Sequence, residues 1–302
     1  MTHTHIRLAS TMALAATAFL SACGGGGGSS AAPPATVSSA SAGSALYSQT
    51  LVITLNGSNL DQSLSASSAG CTDFVLATVA PFVSTATTAY LKCTVSAVGA
   101  QQVAVSRTSD GAALVTVPYT VAVPQVTLAV SNGASVTGSI VITLTPTQTP
   151  LTVKNFLNYV NSGFYAGTVF HRHSPAFVIQ GGGYAGPLAV GNSFPNHKTT
   201  NAAITLEDGK GLSNVKWSVA MARTSVADSA TSEFFINLVD NAFLDGSATS
   251  RGYAVFGSVT AGTDVVTAMA GAPCSAWSAF FGNTTDCLPV PNLTVTGAVQ
   301  TR

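Results

Sequence analysis

The chain has 302 residues, of which 46% are hydrophobic and only 7% charged, and its 11 basic and 11 acidic residues give a formal net charge of +0. The sequence contains no basic stripe that would follow a phosphate backbone, so nucleic acid is excluded as an expected partner. Beyond the N-terminus no apolar run is long enough to cross a bilayer. This length predicts two modest domains.

The N-terminus is typical of a secretion signal. A weakly basic start precedes an apolar segment over residues 8–20, which is too short to span a membrane and ends in small residues before Cys23. This junction resembles the bacterial lipobox, which implies a signal peptide over residues 1–22 and lipidation of Cys23. Because Gly24 follows rather than aspartate, the resemblance implies an anchor in the outer membrane of the cell envelope, facing the periplasm. An ordinary cleaved signal with an incidental cysteine is the alternative.

A tract rich in glycine, serine, alanine and proline follows Cys23. It shows no apolar periodicity, so it has no face to bury in a hydrophobic core. We therefore expect residues 23–45 to be the lipidated cysteine and a flexible linker, through which the chain meets the membrane by its lipid alone.

Residues 46–122 contain short alternating runs separated by turn signals. In one of them Leu51, Ile53 and Leu55 fall on one face of a period-2 strand. The pattern resembles bacterial immunoglobulin-like modules and predicts a small immunoglobulin-like β-sandwich. The segment has no histidine and few ionisable groups, so we expect a spacer or docking role. A surface adhesion or binding function is the alternative.

Five cysteines are present, and setting aside Cys23 leaves an even number. Cys71 and Cys93 are close together in one half of the chain, and Cys274 and Cys287 in the other. Four cysteines allow three pairings, and the spacing favours the local bridges Cys71–Cys93 and Cys274–Cys287 in an oxidising compartment. Free structural thiols are the alternative.

Residues 125–302 begin with two strands and then a helix. Pro150 suits the first helical position, with Thr149 as the cap, and Gly163 ends the helix. Its apolar residues recur at helical spacing, and they are Val153, Phe156, Leu157 and Val160. A second helix is predicted near 262–271. Strands and loops between them predict a mainly β fold, a closed antiparallel β-barrel with two peripheral helices.

The motif FHRHSPAFVIQGGG, residues 170–183, sets a cation inside an apolar run. It resembles the central motif of the cyclophilin family of peptidyl-prolyl cis–trans isomerases. Three further segments resemble this family in the same order, namely residues 152–172, 218–238 and 241–259. The resemblance covers about residues 125–271 and implies a cyclophilin-like fold and prolyl isomerase activity.

Arg172 is the arginine of this motif, and the resemblance implies that it is the catalytic group. Rotation about a prolyl amide breaks no covalent bond, and its barrier of about 18–20 kcal/mol arises from amide resonance. A catalyst must bind the twisted amide better than the planar forms. A guanidinium can hydrogen-bond the prolyl nitrogen as its lone pair is freed. The expected enzyme needs no cofactor and no metal. A surface ion pair is the alternative role for Arg172, but its apolar neighbours supply no obvious acidic partner.

The resemblance also implies an apolar socket for the proline ring and polar contacts to an extended peptide. Taken alone, each residue of the socket is better explained as core than as pocket. Gln180 offers donors and an acceptor, and the backbone from Ala220 onward is expected to hold the peptide. Phe243 stands where many eukaryotic members carry tryptophan, which implies weak cyclosporin binding. The implied substrate-binding residues are Phe177, Val178, Gln180, Ala220, Met221, Ala222, Glu233, Phe235, Phe243, Leu244 and Tyr253.

Glu233 departs from the family pattern, which has glutamine at this position. Strand alternation puts it on one face with Phe235, while Phe234 and Ile236 share the other. An ionised carboxylate only accepts hydrogen bonds, so a substrate contact is lost or reversed. Glu233 is alternatively expected to pair with Arg172 or with a second arginine, Arg223, and to weaken the catalytic cation.

His171 and His173 are two residues apart, a spacing that can suggest a metal site. No third ligand accompanies them, and His197 has no visible reason to join, so we predict no metal and assign them structural and rim roles. The tail over residues 274–287 has no counterpart in the family pattern and is predicted to be a disulfide-closed loop.

These observations predict a lipid-anchored peptidyl-prolyl isomerase that acts on proline-containing exported polypeptides. The alternative is a proline-binding module that has lost turnover, which Glu233 favours. The sequence makes no prediction about oligomeric state.

Overall fold

A computed structural model describes residues 33–191, 197–247 and 249–302, together with the two-residue strand Thr4–His5. The chain divides into two compact units, Met1–Val121 and Ala122–Arg302. Apart from Thr4–His5, the predicted signal peptide lies outside the described residues, as do Cys23 and the predicted linker up to residue 32. None of the helices in the described ranges has the length and apolar character needed to cross a membrane.

The first unit is built from antiparallel strands. One four-stranded sheet has the order β1-β4-β9-β10, a second has the order β2-β3-β8-β5, and β6 pairs with β7. The strands are β1 (Thr4–His5), β2 (Thr36–Ala42), β3 (Thr50–Ser58), β4 (Leu64–Ser67), β5 (Cys71–Leu76), β6 (Thr78–Val79), β7 (Phe82–Val83), β8 (Thr88–Val95), β9 (Gly99–Arg107) and β10 (Ala113–Val121).

Apolar alternation forms the core of this unit. Leu51, Ile53 and Leu55 are fully buried on one face of β3, as the period-2 pattern predicts. The Cys71–Cys93 disulfide joins β5 to β8 with a Cα–Cα distance of 5.8 Å, which confirms this predicted bridge. The immunoglobulin-like topology stays a prediction.

The predicted flexible linker is wrong over part of its length. Residues 36–42 form β2, which pairs with β3 from Thr36 opposite Ser58 to Ala42 opposite Ile53. Most side chains of β2 are small and exposed or half-buried, so the strand adds backbone hydrogen bonds at a sheet edge rather than an apolar face. Its composition therefore looks like that of a linker.

The second unit contains one large antiparallel sheet and few helices. Its strands are β11 (Gln125–Ser131), β12 (Thr137–Leu144), β13 (Val169–Phe170), β14 (Arg172–Ser174), β15 (Val178–Gly181), β16 (Ser218–Met221), β17 (Phe234–Asn237), β18 (Val255–Ala261), β19 (Cys274–Ala276), β20 (Cys287–Pro289) and β21 (Leu293–Gln300). Its helices are α1 (Pro150–Asn161), α2 (Thr263–Ala270), α3 (Ser278–Phe281) and a 3-10 turn, Ala242–Leu244.

The sheet has the strand order β13-β21-β11-β12-β18-β16-β17-β15-β14-β20-β19. This pairing describes a curled half-barrel among the described residues, and closure into a barrel stays a prediction. Helices α1 and α2 confirm the two predicted helices. The four-residue helix α3 was not predicted, because its short segment lies inside the cysteine-bounded tail and has no helical period of its own.

Helix α1 packs its apolar face on the sheet. The Phe156 ring lies 4.9 Å from that of Phe256 and 5.5 Å from that of Phe234, measured between centroids. Phe156 and both of these partners are fully buried. Aromatic contacts of this kind add to the free energy gained by burying their area, so this cluster fixes the helix against the strands that carry the site.

The N-terminus of α1 is capped by a distant side chain. The predicted cap, Thr149, makes no side-chain capping bond, because its hydroxyl donates to the carbonyl of Thr145. The carboxylate of Glu207 instead accepts from the backbone N–H groups of Leu151 (3.2 Å) and Thr152 (2.8 Å). A negative charge at this position also interacts favourably with the helix dipole.

Candidate active site

Neighbouring strands set the predicted catalytic arginine in register with apolar residues. Arg172 on β14 lies opposite Gln180 on β15, Gln180 lies opposite Phe235 on β17, and Phe235 lies opposite Ala220 on β16. Residues directly opposite each other in adjacent strands point to the same face of a sheet. The four side chains therefore form one row across the sheet, with the cation at one end.

Strand β17 separates this face from the hydrophobic core. Phe234 belongs to the aromatic cluster around α1, while Phe235 packs on the other face with Val178 and Ala220. The predicted division of these two phenylalanines between opposite faces agrees with the structure. The same strand therefore anchors the core and supplies the floor of the site.

The face opens into a groove of about 390 Å³. This volume lies in the range of small-ligand sites in proteins. Nine residues implicated by the sequence line it, and they are Arg172, Phe177, Val178, Gln180, Ala222, Glu233, Phe235, Leu244 and Tyr253.

Three residues predicted to bind substrate do not line the groove. Ala220 is completely buried in the cluster beneath it. Met221 lies opposite Phe234 and is 2% exposed, since strand alternation turns it to the core face. Phe243 stacks on Phe177 outside the groove lining, with ring centroids 5.7 Å apart, and is 75% exposed.

Five groove residues were absent from the predicted binding set, and they are His171, Tyr184, Arg223, Phe280 and Phe281. His171 was assigned only a structural or rim role. Arg223 lies over the Tyr253 ring at 4.7 Å from its centroid and donates to the carbonyl of Gly252. Phe280 and Phe281 belong to helix α3, in the cysteine-bounded tail to which the sequence analysis gave no role in the site.

Arg172 has an acidic partner, contrary to the expectation from its apolar neighbours. Its Nε donates to Oδ2 of Asp286 at 2.7 Å, and its Nη1 donates to Oε1 of Gln180 at 3.1 Å. Asp286 lies 114 residues further along the chain. No local pattern reveals such a partner, although its position next to Cys287 links it to the predicted loop.

The pairing of Glu233 with an arginine was wrong. Its carboxylate accepts from Nε2 of Gln180 at 2.8 Å and lies 3.5 Å from Nε2 of His171 and 3.4 Å from Nε2 of His197. Burial lowers the pKa of His171, while the charge of Glu233 acts in the opposite direction. A polar chain therefore runs from Arg172 through Gln180 to Glu233.

The three glycines after Gln180 allow the Glu233 carboxylate to approach strand β15. Gly182 has φ +91°, in the region that favours glycine. A Cβ atom on Gly183 would lie 2.7 Å from Cδ of Glu233, closer than side chains pack. The glycine run therefore makes room for the Glu233 carboxylate beside β15.

His173 is not part of the groove lining. One of its ring nitrogens lies within 4.8 Å of the sulfurs of Cys274 and Cys287, the kind of cluster that can hold a metal ion. These two cysteines form a disulfide with a Cα–Cα distance of 5.6 Å, which confirms the second predicted bridge. Disulfide sulfurs are not thiolate ligands, so this cluster is structural.

An arginine beside an apolar groove on a curled antiparallel sheet is the arrangement expected of a cyclophilin-type prolyl isomerase from the motif around Arg172. The model of the family described as "Cyclophilin type peptidyl-prolyl cis-trans isomerase/CLD" matches residues 126–286, just over half of the chain, and the chain belongs to this family. The predicted cyclophilin fold and enzyme class are confirmed.

Curated bacterial relatives agree. Peptidyl-prolyl cis-trans isomerase A of Dickeya dadantii is 48% identical over 128 residues, covering 42% of this chain and 64% of that protein. The isomerase of Acinetobacter baylyi is 48% identical over 46% of this chain and 71% of its own length. Isomerase B of Escherichia coli is 46% identical over 43% of this chain and 76% of its own length.

Proposed function

We propose that the second unit isomerises X–Pro bonds of exported polypeptides and that Arg172 stabilises the twisted amide. The observation that carries this proposal is the position of the guanidinium, which lies at the edge of the apolar groove with Cζ 6.0 Å from the centroid of Phe177. Its Nε and Nη1 are held by protein acceptors, whereas Nη2 donates to no other described residue. Nη2 is therefore the donor left for a bound peptide.

The chemistry needs no covalent step. As the C–N bond rotates, conjugation is lost and the prolyl nitrogen gains a lone pair that a fixed donor can bind. This hydrogen bond exists only in the twisted state, so it lowers the barrier rather than strengthening ground-state binding. Because the guanidinium is already oriented, little reorganisation accompanies the rotation.

The apolar floor supplies the socket for the proline ring. Val178 and Phe235 are almost fully buried, and Phe177, Leu244 and Tyr253 pack around them as half-buried walls. Burying the proline ring against these side chains contributes binding free energy, and this contribution does not depend on the rotation about the amide C–N bond. The ring is held while the carbonyl on the other side of the amide rotates.

The setting of this activity is part of the same proposal. The signal and lipobox pattern supports a protein lipid-anchored at Cys23 in the outer membrane, facing the periplasm, with proline-containing exported polypeptides as clients. The two disulfides are in keeping with an oxidising compartment. An immunoglobulin-like sandwich as spacer and a closed barrel as catalytic unit complete the arrangement.

A second candidate is a proline-binding module without turnover. The contact between Gln180 and Glu233 favours it, because the amide that would bond the substrate backbone already donates to a carboxylate. Under this hypothesis the groove still binds X–Pro peptides, but their isomerisation is not accelerated.

The test is isomerisation of a short X–Pro peptide by the purified chain with both disulfides formed. Arg172→Ala is expected to lower kcat/KM roughly 10²- to 10³-fold, the loss typical of removing one preorganised donor. Arg107→Ala is the matched control, since Arg107 forms an ion pair with Asp110 in the first unit. Peptide binding without acceleration by the parent protein would establish the second candidate instead.

A further inference from the structure

The disulfide-closed loop Cys274–Cys287 borders the groove. Phe280 and Phe281 line the groove, as Arg172 does, and Trp277 packs into an apolar cluster with Val169 and Leu288. The loop therefore rests on the sheet and reaches the site. The loop also brings a charged group to the site, Asp286, which immediately precedes the second cysteine of the bridge.

Asp286 is held rigidly within the loop. Its backbone N–H donates to Oδ1 of Asn283 at 2.8 Å, and Nδ2 of Asn283 donates to Oδ2 of Asp286 at 3.0 Å. The side chain of Asp286 is 4% exposed, compared with 28% for that of Arg172. In this ion pair the carboxylate is the fixed member, and the longer arginine side chain takes its orientation from it.

The strand pairing explains how the carboxylate reaches the arginine. His173 on β14 lies opposite Cys287 on β20 in antiparallel register, so Arg172 and Asp286, each next to a member of this pair, belong to the same face of the sheet at diagonal positions. In the described part of the chain, this is the one residue pair of the ladder between β14 and β20. The disulfide ties β20 to β19 through Cys274 and covalently closes the loop that carries Asp286.

We propose that Asp286 is a positioning residue for Arg172 and that the Cys274–Cys287 disulfide keeps it in place. The proposal rests on the proposed isomerase function. With Nε held by Asp286 and Nη1 by Gln180, the guanidinium plane is fixed by two contacts from opposite sides of β14, and Nη2 is left to donate to a bound peptide. Losing one contact leaves the cation present but misoriented.

The first experiment measures kcat/KM for an X–Pro peptide and, separately, the Kd of that peptide. Asp286→Asn keeps the shape of the side chain and removes its charge. We expect kcat/KM to fall about 10-fold or more, because a catalytic group displaced by a fraction of an ångström loses much of its effect. The Kd is expected to change less than about twofold, since the loss lies in the transition state.

The matched control is Asp208→Asn. Asp208 forms another carboxylate–arginine pair of this unit, with Arg251 at 2.6 Å, and neither residue lines the groove. Asp208→Asn is expected to leave kcat/KM unchanged. Asp286→Glu, which keeps the charge, is expected to recover part of the activity. Equal activity of Asp286→Asn and the parent, or a loss confined to Kd, overturns the proposal.

The disulfide is tested with Cys274→Ser/Cys287→Ser beside Cys71→Ser/Cys93→Ser. The first double variant is expected to lower kcat/KM as Asp286→Asn does, and the second, which removes the bridge of the other unit, is expected to leave it unchanged. Circular dichroism confirms folding of each variant. An unchanged kcat/KM in the first double variant overturns the role of the disulfide.

A measurement independent of turnover separates this proposal from the isomerase function itself. In a ¹H–¹⁵N spectrum the Nε–H of Arg172 should exchange slowly with water, because it donates to the buried Asp286 carboxylate. Asp286→Asn is expected to speed this exchange and Asp208→Asn to leave it unchanged. If the parent protein does not isomerise the peptide, the function fails while this signal still decides the positioning. An exchange rate unaffected by Asp286→Asn overturns the positioning as well.

Discussion

The side-chain amide of Gln180 donates to Glu233 at 2.8 Å while its carbonyl oxygen accepts from Arg172 at 3.1 Å. Gln180 thus connects the groove cation to a carboxylate at the opposite side of the same face. Both ends of the amide are engaged by the protein. A substrate backbone that uses this glutamine must therefore compete with Glu233.

Glu233→Gln is expected to raise kcat/KM for an X–Pro peptide. The substitution removes the charge that holds the Gln180 amide and restores a donor at position 233. One recovered hydrogen bond contributes about 0.5–1.5 kcal/mol, which corresponds to a roughly 2- to 10-fold gain. The measurement is a comparison of the two proteins in a protease-free isomerisation assay.

The control for this gain is Asp264→Asn, which neutralises an exposed carboxylate in the first turn of α2. It should leave the rate unchanged. A lower rate for Glu233→Gln would mean that the carboxylate assists catalysis through its histidine neighbours rather than competing with substrate.

The stability of the protein is expected to fall as the pH drops below about 6.5, the ordinary histidine pKa. Burial lowers the pKa values of His171 and His173 in the folded state. The unfolded chain therefore binds protons first on acidification, and folding loses free energy until the pH reaches the lowered folded pKa values. Above about pH 6.5 both states are neutral at these positions and the contribution is complete.

Urea unfolding at about pH 7.5 and about pH 5.5 measures this effect. His171→Asn should reduce the difference in unfolding free energy between the two pH values, whatever it does to stability at either one. An undiminished difference in this variant would assign the pH dependence to other groups.

Much of the fold could be predicted because its signals are local. The spacing of Val153, Phe156, Leu157 and Val160 defines helix α1, and the alternation of Leu51, Ile53 and Leu55 defines β3. Each pattern depends on residues a few positions apart. Strand β2 was missed because its order comes from pairing with β3, to which its own small side chains give no clue.

The part of the site that is contiguous in the sequence could also be predicted. The motif around Arg172 and Gln180 is contiguous, so its residues were found, and strand alternation separated Phe235 from Phe234. The partners that hold the site were not found. Asp286 is 114 residues from Arg172, and the contact depends on how the loop folds back on the sheet.

Glu207→Ala is expected to destabilise the second unit by about 1–2 kcal/mol. The substitution removes the acceptor that caps Leu151 and Thr152, and caps of this kind are typically worth about this much. It also removes a charge that interacts favourably with the helix dipole. Denaturant unfolding measures the change, with Asp264→Asn at the exposed start of α2 as the control, expected to cost less than about 0.5 kcal/mol. An equal loss of unfolding free energy in both variants would contradict a specific capping role for Glu207.

Removing the other bridge should affect stability without affecting the groove. Cys71→Ser/Cys93→Ser opens a link between positions 22 residues apart, and the loss of such a constraint typically costs about 2–4 kcal/mol. Since the bridge joins β5 to β8 of the first unit, this loss should show as earlier unfolding of that unit in a denaturant titration followed by hydrogen exchange. Amides of β3 and β8 should lose protection first, while those of β15 and β17 retain it. Loss of protection in β15 and β17 at the same denaturant concentration would mean that the two units unfold as one.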